Sequence, residues 1–278
     1  MTTTLRPEAA EARAADGSRA RAYAICVNGR PVGRIALELR AAERGVAEIT
    51  ELFVEPEGRG RGRGTTAVLA AEEVLREWGA DRVMLNPLEP EEPERLLRWT
   101  GALGYRLRSR NMVKELTGPQ PGLADGLSAR PLEGEAYGRW YAREVATYEE
   151  VLRGTGLTPA QARAKSEADH VSMLPQGPHS PDTVLRELVT ADGEVAGWLW
   201  LNTADSQARP PWIFDVLVDA RFRGRGYGRA LLHLAERETR AAGRSRLGLN
   251  VFADNVAANA LYESLGYRTF RWSLTKPL

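Results

Sequence analysis

The alternation of apolar and polar positions predicts a succession of short strands and amphipathic helices. From Trp212 to Val218 the chain reads Trp-Ile-Phe-Asp-Val-Leu-Val, an apolar, β-branched run that predicts a strand. Ala230 to Arg237 then repeats apolar residues at helical spacing, and Leu247 to Phe252 reads again as a strand. Further helical patterns cover Glu135 to Arg153 and Pro159 to Met173, the latter entered through Thr158-Pro159, a cap followed by a proline at the first helical position. Near the start, Ala24 to Val27 is strand-like and leads into a hairpin around Asn28 to Pro31. One acid interrupts these apolar runs. A period of two places Asp215 on the face opposite Phe214 and Val216. A carboxylate among apolar neighbours calls for a task or a partner. A proton acceptor, an ion pair with an arginine of the helical pair and a surface position all satisfy that requirement.

The pattern occurs twice. Arg-Gly-Arg-Gly-Arg-Gly at Arg59 to Gly64 precedes Arg-Gly-Arg-Gly-Tyr-Gly at Arg223 to Gly228 by 164 residues, an offset that also relates Gly29 to Gly193, Gly33 to Gly197, Glu51 to Asp215 and Val54 to Val218. Ala102 to Tyr105 matches Ser264 to Tyr267 at an offset of 162. The chain is a tandem repeat of one fold. Arg6-Pro7 and Arg130-Pro131 are only 124 residues apart, so the second copy holds about 40 residues that the first lacks. Those residues are the two helical patterns. Thr117 to Gly126, with two prolines and three glycines, reads as the linker, and Pro175 to Asp182 as a rigid connection between the helical pair and the next strand.

The glycine-rich stretch carries the chemistry. A strand that turns through glycines into a helix leaves backbone N–H groups unpaired at the positive end of the helix dipole, which suits an anion. Gly224, Gly226 and Gly228 let the backbone approach a diphosphate closely. Their alternation breaks the dinucleotide fingerprint, whose third glycine would fall on Arg229 or Leu231, and no Gly-Lys-Ser/Thr follows for a Walker loop.

Arg223 to Gly228 resembles the Arg/Gln-x-x-Gly-x-Gly/Ala pyrophosphate loop of the GCN5-related N-acetyltransferases, and Asn255 to Tyr267 resembles that family's Asn-x-x-Ala-x-x-Leu-Tyr-x-x-x-Gly-Tyr signature. The resemblance implies an α/β fold: two tandem domains, each a mixed, mostly antiparallel sheet with flanking helices. Residues 1–117 form a truncated domain without the first two helices, 118–127 the linker and 128–278 the catalytic domain. It implies acetyl-CoA as acyl donor, held at its diphosphate by Arg223, Gly224, Arg225, Gly226, Tyr227, Gly228 and Arg229, along its pantetheine arm by Leu217 and Val218, and at Asn255. Tyr262 would protonate the leaving thiolate, and Asp215, directly or through water, would take the proton of a primary amine on a small metabolite. The helical pair would wall the acceptor, with Tyr148, Glu149, Glu150, Trp198, Trp200 and Trp212 as neighbouring side chains.

The first copy departs from that pattern. The places of Tyr262 and Asn255 fall on Thr100 and Pro93, and Glu89 to Glu94 is a carboxylate-rich run. Its loop keeps three glycines and adds three arginines, so a structural half and a second cofactor site are both open. Two other readings compete for the whole chain: an acyl-CoA-binding regulator without turnover, and a transferase of another acyl group. An arginine/glycine nucleic-acid binder fits poorly with a net charge of +1. Three scattered histidines offer no metal spacing, so no metal is expected, and the single cysteine, Cys26, reads as buried and apolar. The absence of a long apolar run or a leader pattern predicts a cytoplasmic protein without membrane contact, monomeric or homodimeric.

Overall fold

The computed structural model describes residues 2–41, 45–120, 122–154, 157–206 and 209–278. The first copy runs β1 (Thr3–Pro7), β2 (Ala12–Arg13), β3 (Arg19–Val27), β4 (Arg30–Leu39), β5 (Val46–Val54), α1 (Arg63–Glu77), β6 (Arg82–Leu85), α2 (Pro93–Ala102) and β7 (Arg106–Glu115). The second runs β8 (Leu127–Pro131), α3 (Gly134–Arg153), α4 (Pro159–Met173), β9 (Thr183–Thr190), β10 (Val195–Asn202), β11 (Trp212–Val218), α5 (Tyr227–Ala241), β12 (Arg246–Phe252), α6 (Val256–Ser264) and β13 (Arg268–Pro277). Both copies build mixed, mostly antiparallel sheets with helices. Where the second copy has α3 and α4, the first has only the two-residue β2. The start of α4 is fixed by a capping box, in which Thr158 accepts from the Gln161 N–H and Gln161 reaches back to the Thr158 N–H.

Two compact units divide the chain. One comprises residues 1–110, 252–254 and 270–278, the other 111–251 and 255–269. Within the first unit the strand order is β1-β3-β4-β5-β6-β13, with β5 and β6 the parallel pair and Leu274 opposite Leu85 in the β13–β6 ladder. The order in the second is β8-β9-β10-β11-β12-β7, with β11 and β12 parallel. Each sheet is thus completed by residues from the last strand of the other copy.

The same device anchors that strand in each unit. In the first unit the Lys276 ammonium on β13 lies 2.6 Å from Glu72 of α1, and the Tyr105 hydroxyl donates to Glu72 at 3.0 Å. In the second, Lys114 on β7 lies 2.6 Å from Glu236 of α5 and over the ring of Tyr267. Both glutamates are almost wholly buried, so each depends on its lysine to offset desolvation.

Apolar cores follow the period of each element. Ile35, Leu37, Val68, Leu75 and Val83 centre the first unit's core, and Cys26 is buried. In the second unit β10 sends Leu199 and Leu201 to one face, against Leu231 and Leu234 of α5, and Trp198 and Trp200 to the other, against α3 and α4. Trp140 meets Trp200 edge-on at 5.5 Å between ring centroids. Among the described residues no helix is long and apolar enough to cross a membrane.

Candidate active site

β11 positions the site. It pairs with β12 at Trp212↔Gly248 and Ile213↔Leu249, while on its other edge the ladder with β10 continues to Val218. The first copy repeats this, its parallel pairing ending at Ile49↔Leu85. Beyond the paired residues a groove of about 390 Å³ opens, lined by Val216, Leu217 and Val218 of β11, Arg223, Gly228 and Leu232, and Asn255, Ala257, Ala258, Leu261 and Tyr262 around α6. Gly228 keeps the groove open, since a Cβ there would sit 3.2 Å from Leu261 Cδ2.

The glycine loop ends in left-handed backbone. Gly224 has φ 75° and Gly226 φ 84°, and neither would have any atom within 4 Å of an added Cβ, so the loop is open to a ligand. Gly226 is the N-cap of α5 and offers no side chain to the first turn's N–H groups. Arg223 Nε donates to the Val218 carbonyl at 3.4 Å, which ties the loop back to β11, and Arg229 donates to Ser264 Oγ at 2.9 Å. Arg225, Tyr227 and Arg229 border a second cleft of about 830 Å³, together with His233, whose imidazole burial pushes down in pKa. Asn255 caps α6 by accepting from the Ala258 N–H at 3.1 Å and also lines the groove.

A bulge changes which way Asp215 points. The β10–β11 register shifts between Trp200↔Asp215 and Leu201↔Ile213, leaving Phe214 as the extra residue. Phe214 packs on Trp200 with ring centroids 4.8 Å apart, while Val216 joins the core on the α5 side. Strict alternation put Asp215 opposite Phe214. With two residues of β11 set against one of β10, Asp215 lies on the same face as Phe214, towards α3, and only Val216 points away.

There Asp215 meets a partner. Glu144 on α3 is its acidic neighbour, and Oδ2 of Asp215 is shielded from solvent with no hydrogen-bond partner among the described residues. Burial above all, then the Glu144 charge, pushes Asp215 up from its ordinary 3.8 to about 7, against the pull of Arg143. Burial and the Asp215 charge push the Tyr262 hydroxyl up to about 12. Tyr262 lines the groove, and Asp215 is its electrostatic neighbour.

Several nominated side chains have other work. Glu149 is paired with Arg153, Glu150 is exposed, and Tyr148 donates to Asp169 at 3.3 Å. Trp200 is core, whereas Trp198 carries the Arg143 guanidinium 4.4 Å above its ring. In the first unit Glu51 pairs with Arg34, and the Thr100 hydroxyl is spent on the Leu96 and Leu97 carbonyls. Glu144 escaped the sequence reading. Its signal was its place one helical turn from Trp140 and Tyr148, on the aromatic face of α3.

The family model described as acetyltransferase (GNAT) family matches residues 3–95 and again 158–267. The chain belongs to this family. An uncharacterized N-acetyltransferase of Bacillus subtilis, YycN, is 28% identical over 151 residues, which is 53% of this chain and 96% of that protein. A mycothiol acetyltransferase of Nocardiopsis dassonvillei is 31% identical, covering 86% of this chain and 76% of its own length. Among solved structures, a GCN5-related N-acetyltransferase from Sphaerobacter thermophilus superposes with a TM-score of 0.56 at 22% identity, over 92% of this chain and 80% of that one. The twofold family match fits the tandem architecture.

Proposed function

We propose that the chain is an acyl-CoA-dependent N-acetyltransferase whose second copy moves an acetyl group from acetyl-CoA to a primary amine of a small metabolite by direct attack. The observation that carries this reading is the joining of one groove, an open glycine loop at a helix start, and a groove-lining phenol, Tyr262, with the acid Asp215 as its electrostatic neighbour.

The residues fit that donor. Backbone N–H groups from Arg223 to Gly228 and the first turn of α5 would take the diphosphate, because the loop supplies unpaired donors and no Cβ obstructs it. Leu217 and Val218 would receive the pantetheine arm along the β11 edge, with Asn255 flanking it, and Arg229 would stand by the diphosphate from the neighbouring cleft. Bound acetyl-CoA supplies an activated acyl carbon and a thiolate leaving group.

The chain's own chemistry is proton management. An alkylammonium has an ordinary pKa near 10.4 and must lose a proton before it attacks. Asp215, held near 7, is ionised enough at neutral pH to take that proton and basic enough to keep it. Tyr262, held near 12, stays protonated at neutral pH and offers its hydroxyl proton to the departing sulfur. Arg34 neutralises Glu51 and Thr100 is committed to backbone in the first copy, which gives that unit a structural part.

A panel of primary amines incubated with acetyl-CoA tests the reading by thiol release and by the mass of the product. At least one amine should gain a single acetyl group. A non-acetyl acyl-CoA that reacts while acetyl-CoA does not would make the chain a transferase of another acyl group. Binding of acetyl-CoA without turnover on any amine would favour a regulator.

A further inference from the structure

We propose that Trp99 decides which copy takes the acyl donor: its indole closes the first copy's counterpart of the second copy's groove, and so keeps an acyl-CoA from a glycine loop that is otherwise built to hold one. The identity of the ligand rests on the acetyl-CoA reading of the second copy.

The two loops match in detail. Gly60 and Gly62 have left-handed backbone, φ 70° and 73°, and an added Cβ meets nothing within 4 Å at either. Gly62 caps α1 without a side chain, as Gly226 caps α5. Arg59 Nε donates to the Val54 carbonyl at 2.9 Å, as Arg223 Nε does to that of Val218. The loop alone therefore does not tell the copies apart.

The facing helix does. A Cβ at Gly228 would meet Leu261 Cδ2 at 3.2 Å and Val218 Cγ2 at 3.9 Å, whereas one at Gly64 would meet Trp99 Cζ2 at 3.8 Å and Val54 Cγ2 at 4.0 Å. Trp99 thus stands where Leu261 lines the groove, with two fused rings in place of an isobutyl group. By the offset of 162, Arg95 and Leu96 stand in place of Ala257 and Ala258, the small residues along that wall. The indole is also fastened. Its Nε1–H donates to Thr65 Oγ1 in the first turn of α1 at 2.9 Å, and its ring packs against the first unit's core. It bridges α2 to the start of α1, across the course an arm would take from the end of β5 to the loop. A ligand would have to break that bond and turn the ring into water, so only the fraction of molecules with the ring displaced could bind.

Calorimetry with acetyl-CoA on the full chain counts the sites. The native protein should bind one equivalent and Gly226→Glu none. Trp99→Leu, which installs the second copy's residue, should return one equivalent to the Gly226→Glu background, and adding Gly62→Glu should remove it again. Trp99→Phe, a smaller change that drops the Thr65 bond, serves where the leucine variant does not fold and should return one equivalent with weaker affinity. Acetyl-CoA bound by the native protein at the Gly62 loop, shown by its loss in Gly62→Glu, would overturn the closure. So would folded Trp99 variants that bind nothing in the Gly226→Glu background. If the native protein binds none while Trp99→Leu binds one, the closure stands and the acetyl-CoA reading of the second copy falls.

Discussion

Asp215→Asn should stabilise the protein at alkaline pH while abolishing its turnover. A carboxyl whose folded pKa is raised binds its proton more tightly in the folded chain than in the unfolded one. The sign follows directly: its stabilising contribution is complete below the unfolded value, and it is lost as pH rises through the folded value. For Asp215 that window runs from 3.8 to about 7. Across it the native protein loses up to about 4 kcal/mol at roughly 1.36 kcal/mol per pH unit. An amide escapes this loss but fits the carboxyl's surroundings less well, at a cost of about 1–2 kcal/mol. The variant should therefore be more stable by about 3 kcal/mol at pH near 8.5 and about equal at pH near 5. Urea unfolding at both pH values measures the difference. An advantage of the same size at both would show that Asp215 titrates as an ordinary surface carboxylate, and the argument for its basicity would fail.

Three further outcomes follow from the same geometry. Tyr262→Phe keeps the ring's packing on Tyr267, so kcat should fall by about 10²–10⁴-fold while acetyl-CoA affinity stays within a few-fold; a variant keeping more than half its turnover when chemistry limits the rate would remove the hydroxyl from the mechanism. Gly197→Ala would drive a methyl into the Leu217 carbonyl oxygen on β11, so it should cost about 1–3 kcal/mol and weaken acetyl-CoA binding; unchanged thermal stability would contradict the close approach. Lys114→Met leaves the buried Glu236 unpaired and should destabilise by about 3–5 kcal/mol; a neutral effect in calorimetry would show that β7 is held by its backbone ladder alone.

Much of this was legible in the residues themselves. The offset of 164 announced the tandem repeat, and it extends to features no motif describes, since the register shift beside Asp215 recurs beside Glu51. Thr158-Pro159 marked the start of α4 to the residue. What could not be read were the tertiary facts. Period-two alternation assigns Asp215 the wrong neighbour because a bulge depends on the strand opposite, here Gly197 to Asn202, and no local signal in Phe214-Asp215 declares it. Glu144 is one of many acids on helical patterns, and only the packing of α3 on β10 and β11 singles it out from Glu149 and Glu150. Likewise, Lys114 and Lys276 look like surface residues until the last strands are seen to complete the sheets.

Two matched glycines distinguish transfer by the second copy from transfer by the first. Gly62 and Gly226 are both left-handed N-caps, with φ 73° and 84°, and an added side chain meets nothing within 4 Å at either. Gly62→Glu and Gly226→Glu thus impose similar backbone strain and the same charge on the two loops. Thiol release with acetyl-CoA and the best amine of the panel is measured for both, after thermal unfolding confirms equal folding. Gly62→Glu should keep near-native turnover. Gly226→Glu should lose it, together with the roughly 2.7 kcal/mol stabilisation that ligand at 100 times its Kd confers. Equal losses in the two variants, or loss in Gly62→Glu alone, would contradict transfer by the second copy.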